Sequence, residues 1–246
     1  MQDKRFASFA DAVRDIPDGA SVMIAGFGPG TPHNLIKALY EQGAKDLTLI
    51  LNSAGAGRAN PEHVTASTLI EERRVKKVMA AFTAATHPSQ RSVLEDLQAS
   101  GEVEAELMPQ GTLAERIRAA GVGIPAFYTP AAVGTELAEG KEHREFNGRT
   151  YLLAEALYAD YAFVRARTAD EFGNLVHQGS ERNFNPLMAT AARCTIVEVE
   201  EVLPIGKLDP NHVHTPGIYV HRIVKIPPDG IFHVHRPRPE PPRPRS

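Results

Sequence analysis

Three glycines at alternate positions, Gly26, Gly28 and Gly30, stand between the apolar run Val22-Met23-Ile24 and the pair Thr31-Pro32. Residues without side chains let a ligand come up against the main chain. Thr31 followed by Pro32 predicts a helix with Thr31 as N-cap and Pro32 as its first residue. The free amides of a helix start, and the partial positive charge there, suit a phosphate, a carboxylate or a developing oxyanion. Gly26, Phe27, Gly28, Pro29 and Gly30 are therefore the first candidate binding residues. A plain β-to-α turn with no ligand explains the same spacing. The third glycine comes one residue too early for the Gly-x-Gly-x-x-Gly fingerprint, which argues against a nicotinamide cofactor.

Two amides extend the candidate site. Asn52 opens a small polar stretch, Asn52-Ser53-Ala54-Gly55-Ala56-Gly57, where an apolar run stops, and Gln110 follows Met108-Pro109. A side-chain amide both donates and accepts, so either could hold a carboxylate-bearing substrate; a turn cap for Asn52 and a structural hydrogen bond for Gln110 are the alternatives. No attacking group accompanies them. The sequence has no Gly-x-Ser-x-Gly, no His-Glu-x-x-His and no P-loop pattern, and Glu136, Glu139 and Glu155 have no sequence neighbour that would aim them or raise their pKa. His212/His214 and His233/His235 have the spacing that puts both rings on one face of a strand. Without a clustered third ligand or a cysteine pair, they read as solvated histidines rather than a metal site. Cys194, the single cysteine, lies in Ala-Ala-Arg-Cys-Thr-Ile-Val and reads as a small buried residue.

Such residues need a scaffold, and the chain alternates strand and helix to supply one. A helix is predicted over 6–16, then strands at 22–24, 46–51, 76–80 and 103–107 with helical patterns between them. Thr112 and Glu115 predict a capping box for a helix through Ala120, with Gln110 just outside the cap. The Gly- and Pro-rich stretch from Gly121 to Pro130 reads as a long ordered loop. Asn147-Gly148 signals a hairpin over 145–151. Strands at 160–167, 173–176 and 195–199 follow, with a helix over 186–192 and Asn185 as its N-cap. The fold class is α/β: an open, mostly parallel sheet wrapped by helices, with an antiparallel hairpin added and ligands at the carboxyl ends of its strands. One domain is expected over residues 1–226, and 227–246 form a Pro/Arg-rich tail expected to be disordered.

Composition narrows the function. With 27 Lys and Arg against 30 Asp and Glu in 246 residues, and no basic stripe interleaved with aromatics before the tail, nucleic acid is not an expected partner. No apolar run is long enough for a signal peptide or a membrane span, so a cytoplasmic protein with no membrane partner is expected.

Taken together and in order, these motifs resemble one family. Asp18-Gly19, Ala25-Gly26-Phe27-Gly28-Pro29-Gly30-Thr31-Pro32, Asn52, Pro109-Gln110-Gly111-Thr112-Leu113-Ala114-Glu115, Phe127-Tyr128-Thr129-Pro130 and Gly134-Thr135 are similar to segments of the α subunit of family I CoA-transferases. So are Glu139-Gly140-Lys141, Gly173-Asn174-Leu175, Arg182-Asn183-Phe184-Asn185-Pro186 and Thr215-Pro216-Gly217-Ile218. The likeness runs from about Phe6 to Lys225 and is strongest to the A subunits of 3-oxoacid and 3-oxoadipate CoA-transferases. It implies the CoA-transferase (NagB/RpiA-like) fold and transfer of CoA from an acyl-CoA, succinyl-CoA above all, to a 3-oxoacid. It also implies that a glutamate on a separate β subunit carries a glutamyl-CoA thioester, with no catalytic residue in this chain. An α2β2 assembly, CoA as substrate and no permanently bound cofactor or metal go with it. Gly26, Phe27, Gly28, Pro29 and Gly30 would then face CoA or the oxyanion, and Asn52 and Gln110 the small carboxylic acid. A sugar-phosphate isomerase-like enzyme active alone, or a non-catalytic acyl-CoA-binding module, are the alternative readings.

Overall fold

The computed structural model describes residues 3–55, 64–83 and 92–231. Its first half builds outward from β2 (Ser21–Ile24): α2 (His33–Gln42), β3 (Leu47–Ser53), α3 (Ala66–Glu71), β4 (Val75–Phe82), α4 (Val93–Ala99) and β5 (Glu104–Leu107) follow in turn. Ahead of β2 come β1 (Arg5–Phe6) and α1 (Phe9–Val13), and after β5 comes α5 (Gln110–Gly121). Three antiparallel strands, β6 (Ala126–Thr129), β7 (His143–Phe146) and β8 (Arg149–Glu155), form a separate small sheet in the order β6-β8-β7. The chain then returns to the main sheet through β9 (Ala159–Asp170), β10 (Leu175–Val176), α6 (Asn185–Thr190), β11 (Ala192–Leu203) and β12 (Arg222–Lys225).

The main sheet runs β1-β12-β11-β9-β2-β3-β4-β5, with β10 pairing antiparallel to β9 and all the other pairings parallel. From β2 the chain steps one way through β3, β4 and β5; from β9 it steps the other way through β11 and β12. Right-handed crossovers taken in opposite directions place their helices on opposite faces. One core accordingly joins Val13, Leu35, Leu39 and Leu69 to Val22, Leu49 and Phe163, while the other joins Leu113, Ile117 and Met188 to Met23, Ile50 and Val164. The direction reverses between β2 and β9. Open sheets of this kind bind ligands beyond the carboxyl ends of the strands at such a point, and the glycine turn after β2 lies there.

Several local expectations are corrected. Phe6 belongs to β1, paired with β12, and the opening helix starts only at Phe9, because the Ser8 hydroxyl caps it by accepting from the Asp11 amide at 3.1 Å. The stretch from Gly121 to Pro130 contains β6, which gains its strand form from its antiparallel pairing with β8 rather than from its own composition. Strand β12 carries no predicted counterpart: four residues bounded by Arg222 and Lys225 give too little pattern to read. The Asn147-Gly148 hairpin is present, with both residues at positive φ (+51° and +73°), as a type I′ turn requires. Beyond β12 the main chain stays on the body through Ile231, whose amide donates to Asn34 Oδ1 at 2.9 Å and whose carbonyl accepts from Asn34 Nδ2 at 3.1 Å. The rest of the Pro/Arg-rich segment, with His233 and His235, lies outside the described residues, as do Ala56 and Gly57.

Candidate active site

The glycine turn is built by tertiary contacts more than by its own sequence. Gly26, Gly28 and Gly30 have φ of +101°, +73° and +77°, conformations that a side chain would strain. Gly30 is also packed: a Cβ there would sit 2.4 Å from the Glu181 carbonyl oxygen and 2.8 Å from Asn185 Nδ2. Gly28 faces open space, and Phe27, 55% exposed, projects from the turn beside it. Two asparagines hold the loop from outside. Asn183 Nδ2 donates to the Pro29 carbonyl at 2.8 Å, and Asn185 Nδ2 donates to the Gly30 carbonyl at 3.0 Å. Asn185 therefore does not cap α6 as expected. Phe184 is the N-cap residue, and the Asn185 amide links Gly30 and Glu181 to the Arg165 main chain, accepting from the Arg165 amide at 2.7 Å.

The helix start beyond the turn is not the free anion site that the sequence suggested. Helix α2 begins at His33 with Pro32 as N-cap, and the Thr31 hydroxyl turns back to the Gly28 carbonyl at 2.9 Å instead of capping. The first-turn amides of Asn34 and Leu35 both donate to Glu198 Oε2, at 3.0 and 3.1 Å. A buried carboxylate from β11 thus satisfies the orphan donors and the dipole of α2. Glu198 is fully buried and pairs with the equally buried Arg165 at 2.7 Å, and Arg165 also reaches Glu200 at 2.9 Å. Burial pushes the Glu198 carboxyl up to about 7, against the pull of Arg165 and the two amides. Sequence reading missed both residues. The signal was available: a charge inside Phe163-Val164-Arg165-Ala166 and another inside Ile196-Val197-Glu198-Val199 must find each other, since strands covered on both faces leave a lone charge nowhere to go.

Asn52 and Gln110 are brought together. Gln110 Nε2 donates to Asn52 Oδ1 at 2.6 Å, spanning the end of β4 from the N-terminus of α5 to the end of β3. Asn52 is 1% exposed and its Nδ2 has no partner among the described residues, while Gln110 is open to solvent. Register pairs Ile24 with Leu51, so the glycine turn and Asn52 leave adjacent strands at the same level. Gln110 is the first residue of α5 rather than a residue outside its cap. Pro109 is the N-cap residue, and the Thr112–Glu115 box does not form: Thr112 Oγ1 is buried without a partner among the described residues, and Glu115 pairs with Arg118 at 2.5 Å.

The other candidates lie elsewhere. Glu136 and Glu139 are exposed around a short 3-10 helix, and Glu155 ends β8, where its carbonyl accepts from Arg116 at 2.7 Å. His212 and His214 do not share a strand: His212 ends a 3-10 turn, and His214 stacks on His177 with ring centroids 6.1 Å apart. His177 itself is buried between the Arg165 carbonyl and Thr215 Oγ1, and burial lowers its pKa to about 4, so the ring is neutral. Among the described residues no group of three or more His, Cys, Asp and Glu is gathered for a metal. Cys194 is half-buried and its thiol pKa is raised by burial, the environment of an inert thiol. No described helix is long and apolar enough to cross a membrane.

An open, mostly parallel sheet with a glycine turn at its switch point and two paired amides beyond the neighbouring strand ends places the chain among the open α/β folds. Comparison with known proteins carries this further. The profile of the Coenzyme A transferase family matches residues 6–226, and the chain belongs to that family. Over 227 residues it is 44% identical to the A subunit of the 3-oxoadipate CoA-transferase of Pseudomonas putida, covering 92% of this chain and 95% of that one. It is 45% identical over 222 residues to the A subunit of a probable succinyl-CoA:3-ketoacid coenzyme A transferase of Bacillus subtilis, covering 90% and 89%. Among solved structures, a variant of the decarboxylase AibA/AibB superposes with a TM-score of 0.74 at 31% identity, covering 92% of this chain and 84% of that one.

Proposed function

We propose that this chain is the A subunit of a two-chain, cytoplasmic CoA-transferase that moves CoA from succinyl-CoA to a 3-oxoacid. The observation that carries this reading is a wall of main chain and amides at which no described carboxylate stands free to attack. The glycine turn and Asn52 leave adjacent strands at the same level, while the carboxylate of Glu198 is consumed beneath α2, Glu136 and Glu139 are exposed around a 3-10 helix and Glu155 ends β8. A transfer through an enzyme-bound thioester needs a nucleophilic carboxylate, so in this reading a B subunit brings a glutamate to the wall. Attack by that glutamate on the acyl-CoA expels CoA thiolate and leaves an acyl-glutamyl anhydride. The thiolate returns to the glutamyl carbon, releases the first acid and forms the glutamyl-CoA thioester, and the second acid takes the same path in reverse.

The residues of this chain bind and orient. Gly26, Phe27, Gly28, Pro29 and Gly30 offer close main-chain approach to CoA or to the oxyanion of each tetrahedral intermediate. Asn52 and Gln110 take the carboxylic acid. The Asn52 Nδ2 hydrogens, buried and without a partner among the described residues, are donors that a substrate oxygen would satisfy. The decarboxylase that shares the fold marks the second reading. Two relatives at 44–45% identity, each named as the A subunit of a CoA-transferase, favour transfer over it.

Reconstitution tests the proposal. The purified chain alone should turn over nothing, and the chain mixed with its B subunit should transfer CoA from succinyl-CoA to acetoacetate or 3-oxoadipate. In the mixed enzyme Gln110→Ala should raise the KM for the acid about ten- to hundredfold, the value of a hydrogen bond to a charged group. Steady-state turnover by the lone chain, or decarboxylation without transfer by the pair, would overturn it.

A further inference from the structure

The glycine turn hides its acceptors and shows a donor. Each carbonyl from Gly28 to Gly30 is engaged: Gly28 accepts from the Thr31 hydroxyl at 2.9 Å, Pro29 from Asn183 Nδ2 at 2.8 Å and the Phe27 amide at 3.3 Å, and Gly30 from Asn185 Nδ2 at 3.0 Å. The Gly28 amide has no acceptor among the described residues, and Gly28 is exposed. A turn arranged in this way meets an anion with N–H groups rather than with carbonyl oxygens. That is what an oxyanion requires, because a carbonyl swung toward it would repel the charge that the amide stabilises.

Glycine permits this arrangement without selecting it. At Gly28 nothing lies within 4 Å of an added Cβ, so the local packing does not fix the conformation. The selection comes from outside the turn, through two asparagines with different surroundings. Asn185 is fully buried, and its bonds to Gly30, Glu181 and Arg165 tie the turn into the body of the protein. Asn183 is exposed, and its own amide is already oriented by its neighbours: Nδ2 donates to the Ser180 carbonyl at 3.0 Å and Oδ1 accepts from the Phe184 amide at 2.6 Å. The same Nδ2 then reaches Pro29, 154 positions away in the chain. An exposed contact of this kind adds little to folding stability, whereas it does set the direction of the Pro29 carbonyl.

We infer that Asn183 is a positioning residue for the transfer, an inference that rests on the transferase reading. It holds the Pro29 carbonyl back against the 180–183 turn, and the Gly28 amide is left to meet the oxyanion of each tetrahedral intermediate. Asn183 itself touches no reacting atom. Its effect passes through the main chain of the turn and falls on the transition state, where the negative charge develops.

The test uses the assembled two-chain enzyme with Asn183→Ala and Asn183→Asp, each checked for co-elution with the B subunit and for an unchanged unfolding midpoint. Asp matches Asn in size and still accepts from the Phe184 amide, but its carboxylate has no proton to give Pro29. In both variants kcat and kcat/KM for succinyl-CoA should fall together by about ten- to a hundredfold, with KM steady, as expected when a transition-state donor is misplaced. Amide hydrogen exchange over residues 25–32 of the substrate-free complex should quicken in both, while β2 and β9 keep their protection. Wild-type kinetics in Asn183→Asp, a change in KM alone, unaltered exchange over 25–32, or loss of B-subunit binding would overturn the inference. Exchange is read without substrate, so it still decides whether Asn183 fixes the turn if the wild-type pair transfers nothing; the two readings fail separately.

Discussion

Gly30→Val is expected to cost about 2–6 kcal/mol of stability, the sum of left-handed backbone strain and overpacking. The residue sits at φ +77°, and its first side-chain atom would lie 2.4 Å from the Glu181 carbonyl oxygen, a backbone atom that cannot swing aside. The displaced Asn185 amide would also release Arg165 and Glu181. Gly28→Ala provides the contrast. It has nearly the same φ, +73°, but nothing lies within 4 Å of the added atom, so only strain of about 1–2 kcal/mol remains. Denaturant unfolding of the two variants separates packing from backbone strain. Equal losses would mean that the contacts of Asn185 and Glu181 with the turn contribute nothing.

The second large effect is expected at Arg165. Arg165→Met leaves Glu198 fully buried with its cation gone, a change that costs about 3–5 kcal/mol when one partner of a buried pair is removed. The pH dependence has a definite sign. Glu198 already has its carboxyl pushed up to about 7 by burial, and loss of Arg165 raises it further. A group whose folded pKa is raised stabilises the fold most below its unfolded value and loses that contribution as pH rises through the folded one. The penalty of Arg165→Met should therefore be larger at pH 8 than at pH 5.5, and Glu198→Gln in the same background should flatten the difference. Penalties that are equal at the two pH values would show that Glu198 keeps its charge state without Arg165.

These two positions also mark where the sequence could and could not be read. The alternation of short apolar runs and helical patterns was legible because it is local: Val22-Met23-Ile24 and the run before Asn52 are strands, and the glycines after the first permit the turn that Asn183 and Asn185 then hold. Asn147-Gly148 was legible for the same reason. The helix starts were not. Thr31, Asn185 and Thr112 have the side chains of caps, yet each start was decided by something else: Glu198 takes the α2 amides, Arg165 and Gly30 take Asn185, and Pro109 moves the start of α5 two residues ahead of Thr112. Within the candidate site, the meeting of Asn52 and Gln110 across 58 positions follows from strand order, which no local pattern contains.

Which chain carries the coenzyme is decided most directly by mass. The mixed two-chain enzyme would be exposed to succinyl-CoA without an acceptor acid, quenched in acid and resolved by intact-mass spectrometry. The B subunit should gain the mass of CoA less one water, the adduct should disappear on adding a 3-oxoacid, and this chain should stay unmodified throughout. A CoA adduct on this chain, or transfer sustained with no B subunit present, would contradict the proposed function.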